Sequence, residues 1–346
     1  MRVLVTGHRG YVGCLLVPML QSAGHEVTGY DSDLYRACDF GGAPEPVAGI
    51  DRDIRDVSSR DIEGQDAVIH LAGLSNDPLG DLDPSLTRAI NTEATLALGR
   101  AAKAAGVGRF LFSSSCSNYG AAPGDGWLTE EASLNPVTPY AVSKVESEEG
   151  LDRLADDAFC PVFLRSGTAY GFSPRIRFDL VVNNLTAWAM ATGEVRLKSD
   201  GSAWRPLVHA ADMALAFLTA LEAPRDLVHR QAFNVGRNAD CMRIRDLAEI
   251  VQAAIPGSAV TFSGEVSADK RTYRVDCTKI ARTLGYAPRW TVEKGVAELR
   301  DAFTRHGVGV ADFEGARYQR VAHIRHLISE GQLGPDLRRV AEAAHA

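Results

Sequence analysis

No stretch of this 346-residue chain stays apolar for the roughly 20 residues that a bilayer-spanning helix needs. No charged-then-apolar leader precedes the β-branched run that begins at residue 2. Membrane insertion and export are therefore not expected, and a cytoplasmic protein is. Basic clusters are missing too: 37 Lys and Arg stand against 44 Asp and Glu, a net charge of -7. Such a chain offers no row of cations to neutralise phosphates, so neither nucleic acid nor an acidic membrane is an expected partner. The six cysteines, Cys14, Cys38, Cys116, Cys160, Cys241 and Cys277, occur singly, without the C-x-x-C spacing of a zinc site or redox pair. They read as reduced thiols, and no metal is expected. Internal repeats and low-complexity tracts are absent as well.

What the chain has instead is alternation. "RVLVTG" (2–7) is a β-branched run, residues 11–24 carry helical spacing up to Gly24, and "EVTGYD" (26–31) is a second strand. The rhythm continues through "DAVIHLAG" (66–73), an Ala-rich helix over 84–105, "RFLFSS" (109–114), a helix over 139–154 and "PVFLRSG" (161–167). Strands separated by helices predict an α/β protein with a doubly wound parallel sheet covered on both faces. From about residue 168 the pattern loosens into a smaller lobe, with one further sheet strand at "AFNVG" (232–236) and helical periodicity over 210–222, 243–254 and 291–305. The predicted division is a nucleotide domain over 1–167 to which 204–238 returns, a substrate lobe over 168–203 and 239–310, and a C-terminal extension over 311–346. The extension reads as two helices separated by Gly-x-x-Gly.

"VTGHRGYVG" sets Gly7, Gly10 and Gly13 between a strand and a helix, with Tyr11 and Val12 inside the turn. Glycines there permit a tight turn, admit a pyrophosphate against the backbone and leave the free N–H groups of the helix facing it. Asp31, at the end of the next strand, is placed to hydrogen-bond the adenosine ribose. This is the Rossmann-type dinucleotide fingerprint. The Asp31 charge repels a 2'-phosphate and favours NAD, while Arg9 inside the turn keeps NADP open. In "TPYAVSK", Tyr140 and Lys144 are four apart and share one helix face. A phenol becomes a usable base when an ammonium and a nicotinamide cation lie beside it, so the pair forms a proton relay for an alcohol losing a hydride.

These segments, with "DIRD" (53–56), "HLAG" (70–73) and "SSSCSNYG" (113–120), occur in the order that resembles the extended short-chain dehydrogenase/reductase family, in its nucleotide-sugar epimerase and dehydratase branch. The resemblance covers about residues 1–310. It implies that Ser115 holds the reacting sugar oxygen, Tyr140 is the general base and Lys144 holds the nicotinamide ribose. Asp53 and Ile54 would border the adenine, while Leu71, Ala72, Gly73, Asn91 and Ser113 would lie along the dinucleotide. On the substrate side it nominates Ser75, Asn76, Thr168, one of Asn183 or Asn184, and two diphosphate clamps, Arg205 in "AWRPLVHAAD" and Arg271 in "DKRTYRVD". A homodimer through the helices at 84–105 and 139–154 is also implied, with a nucleotide-diphosphate sugar as substrate.

Three departures bear on the reaction and its substrate. Dehydratases of this branch carry an Asp-Glu pair where this chain has Cys116 and Ser117, so the carboxyls that drive elimination are missing. Thr168 stands where an asparagine often meets the substrate, and Pro206 comes after Arg205 where an aspartate is usual. The favoured reading is an NAD-dependent epimerase acting at C4 through a transient 4-keto sugar. A keto-sugar reductase, an atypical dehydratase and a non-catalytic NAD(P) sensor are the alternatives. Ser117 sits in the slot of the catalytic cysteine of the related GDP-fucose synthases. For Cys116 three readings stand: a buried packing residue, a contact lining the pocket, or an acid/base thiol activated by a neighbouring positive charge.

Overall fold

The structure, a computed structural model, describes residues 1–120, 126–262 and 272–340. Seven strands form the main sheet: β1 (Arg2–Thr6), β2 (Glu26–Asp31), β3 (Gly49–Asp51), β4 (Ala67–His70), β5 (Arg109–Ser115), β6 (Cys160–Ser166) and β7 (Gln231–Val235). Their order is β7-β6-β5-β4-β1-β2-β3, and every pairing is parallel. The central strands are almost continuously apolar because both faces are covered. Helices α1 (Gly13–Ser22) and α5 (Ala210–Glu222) bury Leu16, Leu20, Phe217 and Leu221 against Val3, Val5, Ile69 and Leu111. On the other face, α2 (Ala94–Ala104) and α3 (Pro139–Asp152) bury Leu98, Ala102 and Leu151 against Leu4, Val68, Phe110 and Phe112. Each such Leu or Phe contributes roughly 1.5–3 kcal/mol.

The chain reverses its direction of winding between β1 and β4. In open parallel sheets that switch point, at the carboxyl ends of the strands, is where a crevice for ligands opens. A second core of Phe178, Trp188, Leu197, Leu247, Leu299 and Phe303 lies in the smaller lobe. It is enclosed by α4 (Val181–Thr192), the helix Ile244–Ala254 and α6 (Val292–His306). Three small sheets among the described residues accompany it: one of Thr168–Tyr170, Trp204–His209 and Cys241–Arg243, one of Glu194–Leu197 and Ala259–Phe262, and one pairing Trp127–Leu128 with Arg274–Val275. Among the described residues no helix is long and apolar enough to cross a membrane.

Three local expectations change. The single helix over 84–105 is broken into Pro84–Thr87, a π-helical turn over Arg88–Glu93, and α2. The wide turn swings Asn91 inward, where it is buried. Strand β3, only three residues long, has no apolar alternation to announce it. Among its described residues the extension forms one helix of more than a single turn, α7 (Arg320–Ser329), and not two. Gly331, at φ 69°, ends that run, and the described residues after it form a turn closed by a bridge between Leu333 and Arg339. Leu333 and Leu337 sink from this turn into the same core as Ile54, Leu74 and Leu79, which a continuing solvent-facing helix would forbid.

Beneath the carboxyl end of β5 lies a buried ion pair. Arg165 on β6 forks onto Glu148 of α3 at 2.6 Å and 3.0 Å, both side chains being 7% exposed. Glu148 also accepts from the Ser114 hydroxyl and from the Asn118 amide at 3.0 Å. Removing one partner leaves the other charge buried and unmatched. The Glu148→Ala variant is therefore expected to lose about 3–5 kcal/mol of stability in urea unfolding, a large share of a domain's total.

Candidate functional site

A cavity of about 880 Å³ opens at the carboxyl ends of β1, β2, β4 and β5 and runs into the smaller lobe. Gly7, Gly10, Tyr11, Val12 and Gly13 form one wall of its dinucleotide end. The absence of side chains there is structural as well as functional. Gly7 has φ +73°, and a Cβ on it would lie 2.7 Å from the Ala72 nitrogen. A Cβ on Gly13 would collide with the carbonyl oxygens of Gly7 and His8. The turn thus stays bare, and α1 begins at its edge with no side chain capping its N-terminus, a cradle that fits a pyrophosphate.

Asp31 lines the same end, its carboxylate fixed by the N–H groups of Arg9 at 2.9 Å and Asp33 at 2.8 Å. Burial pushes this carboxyl up, and those two donors oppose the shift. Asp53 and Ile54 line the cavity opposite. Asp53 is held by Arg55 at 2.6 Å and 2.9 Å. Arg9 does not join them: its guanidinium pairs with Asp51, lies 3.8 Å from Asp33 and borders a separate small cavity. Its side chain is therefore committed away from the dinucleotide end, where the sequence left a 2'-phosphate contact open.

Leu71, Ala72, Gly73, Ser75 and Asn76 line the middle of the cavity. Asn91 does not. Its amide clasps both backbone groups of Leu74, accepting at 2.8 Å and donating at 3.0 Å, and donates to the Ser143 hydroxyl at 3.2 Å. It thereby positions the loop that lines the cavity. Asn76 caps the short helix Asp77–Gly80 and donates to Asp179.

Ser115, Tyr140 and Lys144 converge on the cavity, with Ser113 and Ser117 beside them. Thr138 caps α3, accepting from the Ala141 N–H at 3.2 Å, so the helix starts where Tyr140 must point inward. Burial pushes the Tyr140 phenol up to about 12, and the Ser115 hydroxyl acts against that shift. Burial also pushes Lys144 down to about 8, with Glu148 countering. The ammonium donates to the Ser113 carbonyl at 2.8 Å and lies 5.6 Å from the centre of the Tyr140 ring. Beneath them His70 is buried between the hydroxyls of Thr6 at 2.6 Å and Thr95 at 2.7 Å. Burial lowers its pKa to about 3, so the ring stays neutral and adds no repulsion toward Lys144.

Cys116 turns away from this group. Its thiol is buried, donates to the Arg165 carbonyl at 3.2 Å and packs with Tyr119, Tyr273, Val275 and Cys277. Burial pushes it well above the ordinary thiol range, although Arg165 pulls the other way. Of its three readings, this geometry is that of the packing residue.

At the lobe end, Thr168, Asn184 and Arg205 line the cavity. Asn183 does not; it accepts from the Gly171 N–H at 2.9 Å and donates to the Tyr11 hydroxyl at 3.2 Å and the Arg177 carbonyl at 2.9 Å. Of the Asn-Asn pair, then, Asn184 alone lines the cavity. Arg271 lies outside the described residues. His209 caps α5 and stacks on Trp290 at 4.0 Å, while Asp212 accepts from the N–H groups of Arg289 and Trp290.

Several lining cations escaped the sequence reading: Arg177, Arg196, Lys198 and Arg320. Arg196 and Lys198 sit on and just after the strand Glu194–Leu197, whose alternation was the available signal. Arg177 is in a stretch that read as an irregular loop. Arg320 comes from the extension, with no local signal at all.

Fold, bare glycine turn and the Ser115-Tyr140-Lys144 cluster together define a dinucleotide-dependent enzyme of the Rossmann class. Residues 3–236 match the NAD dependent epimerase/dehydratase family, and the chain belongs to it. It is thus an NAD-dependent enzyme acting on sugar nucleotides. It is 26% identical over 313 residues to the UDP-glucose 4-epimerase of Mycolicibacterium smegmatis, covering 88% of this chain and 98% of the relative. It is 28% identical over 321 residues to the dTDP-glucose 4,6-dehydratase of Streptomyces griseus, covering 88% and 94%. Among solved structures it resembles MoeE5 in complex with UDP-glucose and NAD, at 25% identity and a TM-score of 0.76 over 88% of this chain and 99% of that one. It also resembles the UDP-glucose 4-epimerase of Thermus thermophilus in complex with NAD, at 25% identity and a TM-score of 0.73 over 89% and 100%.

Two outcomes are expected of this geometry. A Cys116→Ala variant should keep turnover within about threefold of the parent, since its thiol faces the core and holds its proton; steady-state kinetics would check this. The Lys144 pKa is lower in the folded protein, about 8, than the ordinary 10.5. Below pH 8 both states hold the proton and the full cost of burying the charge is felt. As pH rises from 8 to 10.5 the folded state sheds its proton first and that cost is relieved. Lys144→Met should therefore abolish activity yet stabilise the NAD-free protein at pH 7 by up to about 3 kcal/mol, a gap that closes by about pH 10.5 in urea unfolding.

Proposed function

We propose that this enzyme epimerises a nucleotide-diphosphate sugar at C4. The observation carrying the reading is the placement of the two residues after Ser115: the thiol of Cys116 is turned into the core and Ser117 alone joins the cavity, so neither slot offers a carboxyl for elimination. Other carboxylates lining the cavity are engaged. Asp31 and Asp53 are at the adenosine end, Asp179 is paired with Arg177 at 2.6 Å, and Asp77 accepts from the Thr138 hydroxyl. The 4-epimerase relatives support the same reading, while the similarity to a 4,6-dehydratase keeps elimination as the outcome to test against.

Gly7 to Gly13, Asp31, Asp53, Ile54, the loop Leu71–Gly73 and Lys144 would hold NAD. When bound, it supplies a hydride acceptor that later returns the hydride to the sugar. Ser115 holds the C4 oxygen, and Tyr140 takes its proton as the hydride leaves. Lys144 keeps positive charge beside the phenol, lowering the cost of the phenolate that burial would otherwise make prohibitive. The 4-keto sugar then turns in the cavity and presents its other face. Tyr140 returns the proton, and no water or solvent proton enters the carbon skeleton. Arg205, with Arg196 and Lys198 at the lobe end, neutralises the substrate diphosphate, since guanidinium forks match paired phosphate oxygens. Helices α2 and α3 lie side by side, with Leu96 over Gly150 and Leu151 over Gly99, and we assign to this pair the surface of a homodimer.

The test is a panel of UDP-, GDP-, CDP- and dTDP-sugars incubated with enzyme in heavy water and read by mass spectrometry and NMR. C4 epimerisation should proceed with no deuterium in the sugar; deuterium at C3 or C5, or loss of water, would overturn the assignment. Tyr140→Phe should lower kcat by roughly 10²–10⁴-fold while the purified protein retains its NAD, measured by absorbance after denaturation.

A further inference from the structure

The relatives match nearly all of their own length yet leave over a tenth of this chain uncovered, and the shared motifs end near residue 310. The described residues beyond do not trail into solvent. Arg317 donates to the Ala37 carbonyl at 2.8 Å and Tyr318 to the Asp39 carbonyl at 3.0 Å. His323 is 3.2 Å from the Leu34 carbonyl. Arg338 forks onto Asp56, while Arg55 donates to the Asp336 carbonyl at 2.9 Å. Between these anchors Ile324, Leu327, Leu333 and Leu337 complete the core around Ile54, Leu74 and Leu79. The segment therefore bridges the loop after β2 and the loop after β3, the two that flank the adenosine end of the cavity.

From this bridge Arg320 enters the cavity. It is 2% exposed, lies 4.0 Å above the Tyr35 ring and donates one hydrogen bond, from Nη2 to the Arg175 carbonyl at 3.0 Å. Its Nη1 is buried with no hydrogen-bond partner, and no carboxylate among the described residues reaches it as an ion pair. The neighbouring cations are matched: Arg177 with Asp179 at 2.6 Å, Arg175 with Asp39 at 2.6 Å and Asp33 at 3.0 Å. Asp179 acts on Arg320 from beyond ion-pair reach while itself forked by Arg177, so the buried guanidinium has no carboxylate of its own and its burial stays costly unless a ligand supplies the anion. Its position says which anion. Residues 171–177 hang directly on the glycine turn, Tyr11 donating to the Gly171 carbonyl at 2.6 Å and Ser173 donating to the Tyr11 carbonyl at 2.8 Å. Arg320 rests on Arg175 of that same segment, whereas Arg196, Lys198 and Arg205 line the far, lobe end.

We propose that Arg320, carried by the C-terminal extension, binds the pyrophosphate of NAD from the side opposite the glycine turn, and that the extension thereby retains the cofactor across turnovers. An enzyme that returns its hydride gains from never releasing the dinucleotide. The proposal rests on the NAD reading of the cavity and is indifferent to which sugar carbon reacts.

The experiment compares the parent with Arg320→Met, which keeps the aliphatic bulk and removes the charge. NAD bound on purification and the NAD dissociation constant are measured, together with adenosine, which lacks the pyrophosphate, and the unfolding midpoint of the NAD-free protein. The expected result is an NAD dissociation constant raised at least tenfold, unchanged adenosine affinity, and an NAD-free unfolding midpoint no lower than the parent's. Unchanged NAD affinity would overturn the proposal. So would an equal loss for adenosine, which assigns Arg320 to shaping the adenine pocket. Loss of UDP-sugar affinity in NAD-saturated protein, with NAD affinity intact, would give the guanidinium to the substrate diphosphate and overturn it too. Should Arg320→Met not fold, Arg320→Lys carries the same test: charge without the planar fork should weaken NAD several-fold and leave adenosine unaffected.

Discussion

The site depends on one buried knot, in which the Tyr11 hydroxyl of the glycine turn donates to the Gly171 carbonyl and receives the Asn183 amide. This ties the phosphate cradle of the sheet domain to the first segment of the smaller lobe. The cavity between them thereby has two walls in fixed register. Asn183 extends the knot to the Arg177 carbonyl, and Ser173 secures Tyr11 from the other side. Two cations take their places from this segment: Arg177 lies on it, and Arg320 rests upon it.

A second consequence is the division of labour within residues 113–119, which fold as the end of β5 and one 3₁₀ turn. Ser113 gives its carbonyl to Lys144, Ser114 gives its hydroxyl to Glu148, and Ser115 faces the cavity. Cys116 turns down to the Arg165 carbonyl, Ser117 returns to the cavity, and Tyr119 reaches Asn234 at 2.6 Å. The serine run is therefore polar because alternate side chains serve a buried ion pair and the cavity at once. A buried pair of that kind adds little net stability, but it holds the strand end rigid beside the Ser115-Tyr140-Lys144 cluster. Lys144 shows the complementary strain, a charge held 5.6 Å from the centre of the Tyr140 ring where burial disfavours it.

Much of this was legible along the chain. The glycine turn, Asp31, Tyr140 and Lys144 could be read because each role rests on local geometry: a bare turn between strand and helix, the end of the next strand, two side chains one helical turn apart. Ser115 was legible through resemblance and spacing. The choice between Asn183 and Asn184 was not, since neighbouring helical residues differ only in which element lies opposite. Nor was the retreat of Arg9 to Asp51, a residue brought near it by pairing of β2 with β3. The π-turn that aims Asn91 also escaped, because helical spacing looks the same until one extra residue widens the turn.

The extension marks the boundary most clearly. Its apolar spacing predicted helix, and α7 forms, but nothing within it says that Leu333 and Leu337 will lie under the adenosine end or that Arg320 will enter a cavity built largely by residues far back along the chain. Local periodicity and turn chemistry are set by the chain's own neighbours, so the sequence alone determined the alternating elements, the cradle and the relay. Which charges meet, which are left unmatched and which loop is covered depend on packing between distant segments. Only the tertiary structure could decide those, because burial and pairing are properties of the assembled core and of no single stretch within it.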